Sequence, residues 1–249
     1  MKKIFKEFKL LNRSIPGLLY ALLIISIVLM NLLANKSIDF NSNFIALDCG
    51  IIFSWITFLV MDLVVKRFGL KAANYLTISS LIINLFVSLL LVIVSYINGM
   101  WSASYVEHGD AINNALNLTI RNTWYILLGS SIAFLVSSLV NNVLNHFIGK
   151  KLDQNNTFWG FIGRSFISTF IGQFVDNLLF ALIVSLNFFG WNIVQCIMCA
   201  LTGALLELLV ETIFFPIAYK IVKKWEKDNV GKEYIEYMEK KNEAINNGN

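Results

Sequence analysis

Apolar residues run along this chain in long unbroken blocks. Six stand out, at 17–34, 44–62, 75–98, 122–146, 160–186 and 191–219. Each is close to or longer than the roughly 20 residues that a bilayer core asks of a helix. A membrane β-barrel would instead alternate apolar and polar positions. In lipid every backbone N–H and C=O must be satisfied internally, which leaves helices for blocks of this kind. The pattern predicts an all-α, polytopic membrane protein with six transmembrane helices. Its flanks differ. Residues 1–16 alternate Lys with Ile4, Phe5, Phe8, Leu10 and Leu11, as an amphipathic segment lying on a membrane surface would, before Pro16-Gly17 turns the chain. Residues 223–249 are charged and read as a helix fraying into an NNGN end. The expected division is therefore a 1–16 amphipathic segment, a 17–222 six-helix transport domain and a 223–249 charged tail. The longest connection, 99–121, is expected outside the membrane, folded partly toward the mouth of the protein.

Composition sharpens this reading. The chain has 249 residues, 57% hydrophobic and 14% charged, against about 25% charged in an average soluble domain. Its mean hydropathy is +0.65. Of its 20 Lys and Arg, 17 fall in the N-terminal tail, the 62–74 and 147–157 loops and the residues after 219. The positive-inside rule then puts both termini in the cytoplasm; the expected location is the plasma (inner) membrane. The net charge of +4 reflects loop placement and implies no nucleic-acid partner. Cys49, Cys196 and Cys199 offer no ligand set for zinc, so neither a metal nor a cofactor is expected. No Walker A, HExxH, EExxxR or DGxxAR pattern occurs, which argues against an enzyme.

The informative positions are the polar ones inside the apolar blocks. An ionisable residue at mid-membrane costs roughly 2.5–3.5 kcal/mol on insertion scales, so each marks a partner or an aqueous cavity. Asn84 belongs to the third block. Ser138, Asn141 and Asn142 belong to the fourth, and Arg164, Gln173, Asp176 and Asn177 to the fifth. Glu207 and Glu211 belong to the sixth. Gln173, Asp176 and Asn177 are spaced i, i+3, i+4 and share one helix face. Glu207 and Glu211, one turn apart, repel unless a proton or a cation answers them. An internal echo joins two blocks: VSSLVNNVL at 136–144 against IGQFVDNLL at 171–179, with polar positions coinciding. Transporter sites often form where such repeats meet.

The stretch RSFISTFIGQFVDNLLF resembles the R-x-x-x-S-x-x-x-x-Q-x-x-D-x-x-x-F signature of the vitamin uptake transporter family, also called queuosine precursor transporters. Arg164, Ser168, Gln173, Asp176 and Phe180 carry the match. DLVVKRFGLKAANY is similar to the family block after the second span, through Asp62, Gly69 and Lys71, and ELLVETIFFPIAY to the end of the last span, through Glu211, Pro216 and Tyr219. The resemblance covers about 45–222. It implies a six-helix fold like the substrate-binding components of energy-coupling-factor vitamin transporters. It also implies import of a queuosine precursor or related 7-deazapurine near mid-membrane. Taken together with the polar positions above, the candidate site residues are Gln173, Asp176, Asn177, Asn141, Ser138, Arg164, Glu207, Glu211, Asn84 and Phe180. Carboxylates and amides suit the amino-pyrimidinone edge of such a ligand, and Phe53, Trp55, Trp124 or Phe180 could stack on its ring. Three departures stand out. The family's Q-x-x-D of the fourth span is Ser138 and Asn141, its Glu after span two is Lys66, and its Lys in span six is Glu207. The last two suggest a swapped ion pair. Loss of the fourth-span carboxylate hints at a less cationic ligand. The expected partners are a small purine-like molecule, the lipid bilayer and protons as a candidate coupling ion, with a homo-oligomer left open. The alternative is a vitamin-binding component served by a separate ATPase module. The bulky first block lacks the small-residue stripe by which such components dock.

Overall fold

The computed structural model describes residues 2–38, 47–97, 99, 107–121, 124–152 and 157–246. The chain is almost wholly helical. In order come α1 (Lys2–Ser14), α2 (Gly17–Leu33), the strands β1 (Ser37–Ile38) and β2 (Leu47–Asp48), α3 (Ile51–Phe68) and α4 (Leu70–Val94). Then follow α5 (Gly109–Arg121), α6 (Trp124–Leu152), α7 (Phe158–Phe180), α8 (Ile193–Lys227) and α9 (Lys232–Asn246). A π-helical turn, Ala181–Ser185, and a last helical turn, Leu186–Phe188, prolong α7.

Each of the six apolar blocks contains one long helix, but the helices differ in reach. The spans of α4, α6, α7 with its extension, and α8 are long and apolar enough to cross a membrane; α1 and α2, bent by 98° at their junction, make a fifth only as a pair. Alone, α2 has 17 residues and rises about 26 Å, short of a roughly 30 Å core. Helix α3 has 18 residues and carries Asp62, Lys66 and Arg67. The expected boundaries also shift. The second helix begins at Ile51 rather than 44 and runs on to Phe68, so Asp62 lies well inside it rather than at its end. The expected starts at 44 and 122, part of the 99–121 connection and the NNGN tip lie partly outside the described residues. Within that connection, Gly109–Arg121 is an amphipathic helix.

Local signals explain several ends. Pro16 (φ −56°, ψ 127°) sets the corner between α1 and α2. The Thr157 hydroxyl caps α7 by accepting from Gly160 N at 3.1 Å. Asn192 and Gln195 form a reciprocal capping box at the start of α8, both bonds at 2.9 Å. Pro216 sits within α8, a position membrane helices tolerate.

The bundle is apolar outside and buries many polar side chains beside its apolar core. On α4, Ile82, Phe86, Leu89 and Ile93 are exposed while Ser80, Asn84 and Ser88 are buried. Such a surface belongs in lipid, where buried polar side chains act as interhelical contacts. Helices α6 and α7 pack most closely, followed by α7 with α8 and α3 with α8. Gly172 permits this: a Cβ there would lie 2.8 Å from the Phe58 ring and 2.9 Å from Asn141 Cβ. The two segments of the sequence echo thus face each other across α6 and α7. An apolar core joins Leu11 and Ile15 of the N-terminal corner to Val64, Phe68, Val222 and Tyr234. The charged tail accordingly forms helix α9, packed against α1. The strand pair Ser37↔Asp48, Ile38↔Leu47 closes the opposite end of the bundle between α2 and α3.

Candidate functional site

The polar side chains divide into an open cavity and a sealed layer beside it. The cavity, about 440 Å³, opens at the end away from α1 and α9. Its carboxylates are Asp48, Asp176 and Glu207, beside the amide of Asn177. Phe180, Phe189 and Trp191 supply aromatic wall, and the π-turn contributes Ala181 and Ser185. No described lining residue is Lys, Arg or His. Among the described residues each acid meets a hydroxyl or backbone donor. Ser137 Oγ donates to Asp176 Oδ1 at 2.7 Å. The Ser54 hydroxyl donates to Glu207 Oε1. The Gly50 amide donates to Asp48 Oδ1 at 2.7 Å. Glu207 Oε2 and Asn177 Nδ2 are buried without a well-formed hydrogen bond, although the two side chains lie within reach of each other. A ligand with N–H donors would complete the carboxylate oxygens, and its carbonyl would accept from Asn177. A π-turn at this level is also a recurrent mark of functional sites.

The sealed layer lies one turn further along α7 and α8. Asp62, Gln173 and Glu211 have no solvent exposure there, and Arg164 has 5%. Asn141 Nδ2 donates to Asp62 Oδ1 at 3.1 Å. Gln173 Nε2 donates to Glu211 Oε2 at 3.3 Å. The Thr169 hydroxyl is 3.3 Å from Asp62 Oδ2 and 3.4 Å from Glu211 Oε1. Arg164 Nη2 donates to the Asp62 carbonyl at 3.3 Å. Gly149 lets the arginine tuck in, since a Cβ there would fall 2.9 Å from Nη1. A second, shallower pocket at the α1/α9 end is lined by Lys66, His146, Lys150 and Arg164.

The sequence-derived residues are therefore shared out. Asp176, Asn177, Phe180 and Glu207 line the cavity. Gln173, Asn141, Arg164 and Glu211 belong to the sealed layer, and Ser138 is buried. Asn84 accepts from Asn31 at 3.1 Å and donates to Ser131 at 3.4 Å, tying α2, α4 and α6 together. Gln173 and Asp176 share a helix face by spacing, yet the first reaches Glu211 on α8 and the second reaches Ser137 on α6. The suggested Lys66–Glu207 pair does not form. Glu207 bonds Ser54, twelve residues or about 18 Å along α3 from Lys66. The substituted Asn141 lies in the sealed layer, so the cavity keeps its carboxylates. Among the aromatics, Trp55 stacks on Phe214 at 4.6 Å instead of facing the cavity. Sequence reasoning missed Asp48, Ser54 and Ser137. Only Asp48 gave a signal, as a lone carboxylate in the apolar run FIALDCGIIF.

An apolar exterior over buried polar side chains, several membrane-length helices and a small, acceptor-lined cavity define a multi-pass membrane protein. Residues 48–221 match the model of the family described as "putative vitamin uptake transporter". The match covers well over half of the chain, which belongs to this family. No curated protein and no solved structure matches it.

Proposed function

We propose that the protein imports a queuosine precursor or related 7-deazapurine, held in the cavity by Asp176, Asn177 and Glu207 with Phe180 beside the ring. The observation that carries this reading is the lining itself: three carboxylates and the amides of Asn35 and Asn177, with no basic side chain among the described wall residues. An amino-pyrimidinone offers adjacent N–H donors that a carboxylate can take in pairs. The amide can serve the ring carbonyl. The volume sits within the usual range of about 300–1,000 Å³ for small-molecule sites. Because the cavity retains its acids, a protonated aminomethyl substituent suits it at least as well as a neutral cyano one. In this reading all six long helices span the plasma membrane, both termini are cytoplasmic and the cavity faces outward. The vitamin-binding-component alternative gains little support. The outer face of α2 shows Leu18, Leu22 and Ile25, too bulky for close docking of a helix.

The test is thermal-shift binding of the purified protein to queuine, the cyano- and aminomethyl-deazaguanines and guanine. The expected result is stabilisation of the wild type by at least one deazapurine and no response from a folded Asp176→Asn variant. No shift with any of them in folded wild type would refute the substrate class.

A further inference from the structure

Two acids of the sealed layer have no part in the cavity. Asp62 and Glu211 come from different helices and are fully buried. A single hydroxyl, that of Thr169, stands within reach of both, at 3.3 and 3.4 Å. It has one proton to donate and so can serve only one of them at a time. Arg164 of α7 is the buried cation of this layer. The other charged or titratable groups around the pair are Glu207, one turn along α8, and Lys66, His146 and Lys150 in the pocket beyond Arg164. Two ionised carboxylates facing one guanidinium would leave an uncompensated buried charge, which is strongly unfavourable. One shared proton makes the layer neutral. A second observation agrees: Oε1 of Gln173 and Oδ1 of Asn141 are buried without partners, one amide beside each acid. Amide orientation follows the hydrogen-bond network. An O–H on Glu211 could be accepted by Gln173 Oε1, and one on Asp62 by Asn141 Oδ1.

We propose that Asp62 and Glu211 share one proton across Thr169, and that this proton moves between the cavity and the opposite pocket as cargo is taken up. The coupling half of this proposal rests on the transport function proposed above. The steps balance. A proton from the cavity water reaches Glu207 and then Glu211, one turn away. Glu211 gives its proton to the Thr169 oxygen as the Thr169 hydroxyl proton passes to Asp62. Glu211 is left as carboxylate and Asp62 as carboxylic acid. Asp62 then releases the proton past Arg164 to water in the pocket at the α1/α9 end as the next proton from the cavity reaches Glu211, so the layer keeps one shared proton and stays neutral.

Two measurements on the full-length protein test this. Infrared spectroscopy should show the carbonyl stretch of a protonated carboxyl group at neutral pH in wild type, lost in Glu211→Gln. Its absence from folded wild type, or its persistence unchanged in Glu211→Gln, would overturn the shared proton. In proteoliposomes, an inward proton gradient should raise accumulation of radiolabelled queuine several-fold. Thr169→Val should lose that gain while binding queuine as wild type does, and Thr169→Ser should restore it. Queuine accumulation indifferent to the gradient would overturn the coupling. If wild type binds and moves neither queuine nor the cyano- and aminomethyl-deazaguanines, the transport reading fails along with the coupling built on it. The infrared band then still decides whether the proton is shared.

Discussion

The cavity and the sealed layer both draw on α3, α6, α7 and α8, and both are rich in acids, yet they are finished differently. In the cavity, Asp176 and Glu207 each have one hydroxyl donor and keep further acceptor capacity. In the layer, Asp62 and Glu211 are met by amides, a hydroxyl and a neighbouring guanidinium. Buried charges must be compensated within the fold, whereas a binding site leaves acceptors for its ligand. One region therefore governs stability and the other governs binding.

Substitutions should separate the two regions. The largest effect is expected from Arg164→Met, which strands Asp62 in the sealed layer. Leaving a buried charge without the cation beside it costs about 3–5 kcal/mol, and thermal unfolding in detergent should show severe loss of folded protein. Adding Asp62→Asn should recover part of it. Gly172→Ala should come next, because its Cβ would collide with Phe58 and Asn141. Overpacking of this kind costs about 1–3 kcal/mol, read as a lowered melting temperature with ligand affinity retained in the folded fraction. Glu207→Gln should do the reverse. Its side chain can still accept from Ser54, so stability should hold, while queuine affinity should fall about tenfold, or about 1.4 kcal/mol. Equal losses of stability in all three would erase the distinction.

A smaller effect should appear away from both regions. Glu7 of α1 is fully buried. It is paired with Lys71 of α4 and, at 2.8 Å, with Lys241 of α9. Burial alone would raise its carboxyl, but the bonds from Lys241 and Lys71 outweigh this and hold it below its ordinary value of 4.5. A depressed carboxylate stabilises the fold above its unfolded value and loses that contribution as pH falls through the folded one. Hydrogen exchange of α1 and α9 should therefore accelerate below about pH 4.5, ahead of the bundle helices. Glu7→Gln should show the faster exchange already at pH 7.

Much of this architecture was legible in the residues. Apolar blocks gave the long helices because membrane length is a strong constraint, and Asp176 and Glu207 stood out because carboxylates are rare at that depth. Other features left weaker traces. Asp62 looked like the end of a helix because a charge usually closes an apolar block. Its burial depends on Asn141 and Thr169, which lie 79 and 107 residues away. Helical spacing placed Gln173 and Asp176 on one face. It could not show that the face straddles two neighbours, with α8 meeting Gln173 and α6 meeting Asp176. Ser54 and Ser137 were invisible among many serines, since a hydroxyl inside a membrane helix usually bonds its own backbone.

The most direct measurement compares one residue from each region. Equilibrium binding of radiolabelled queuine should be made to purified wild type, Asp176→Asn and Gln173→Met, each shown to be folded. The account predicts that Asp176→Asn binds at least about tenfold more weakly and that Gln173→Met stays within about twofold of wild type. Wild-type affinity in Asp176→Asn, with binding abolished in Gln173→Met, would place the ligand in the layer described here as sealed and contradict the account.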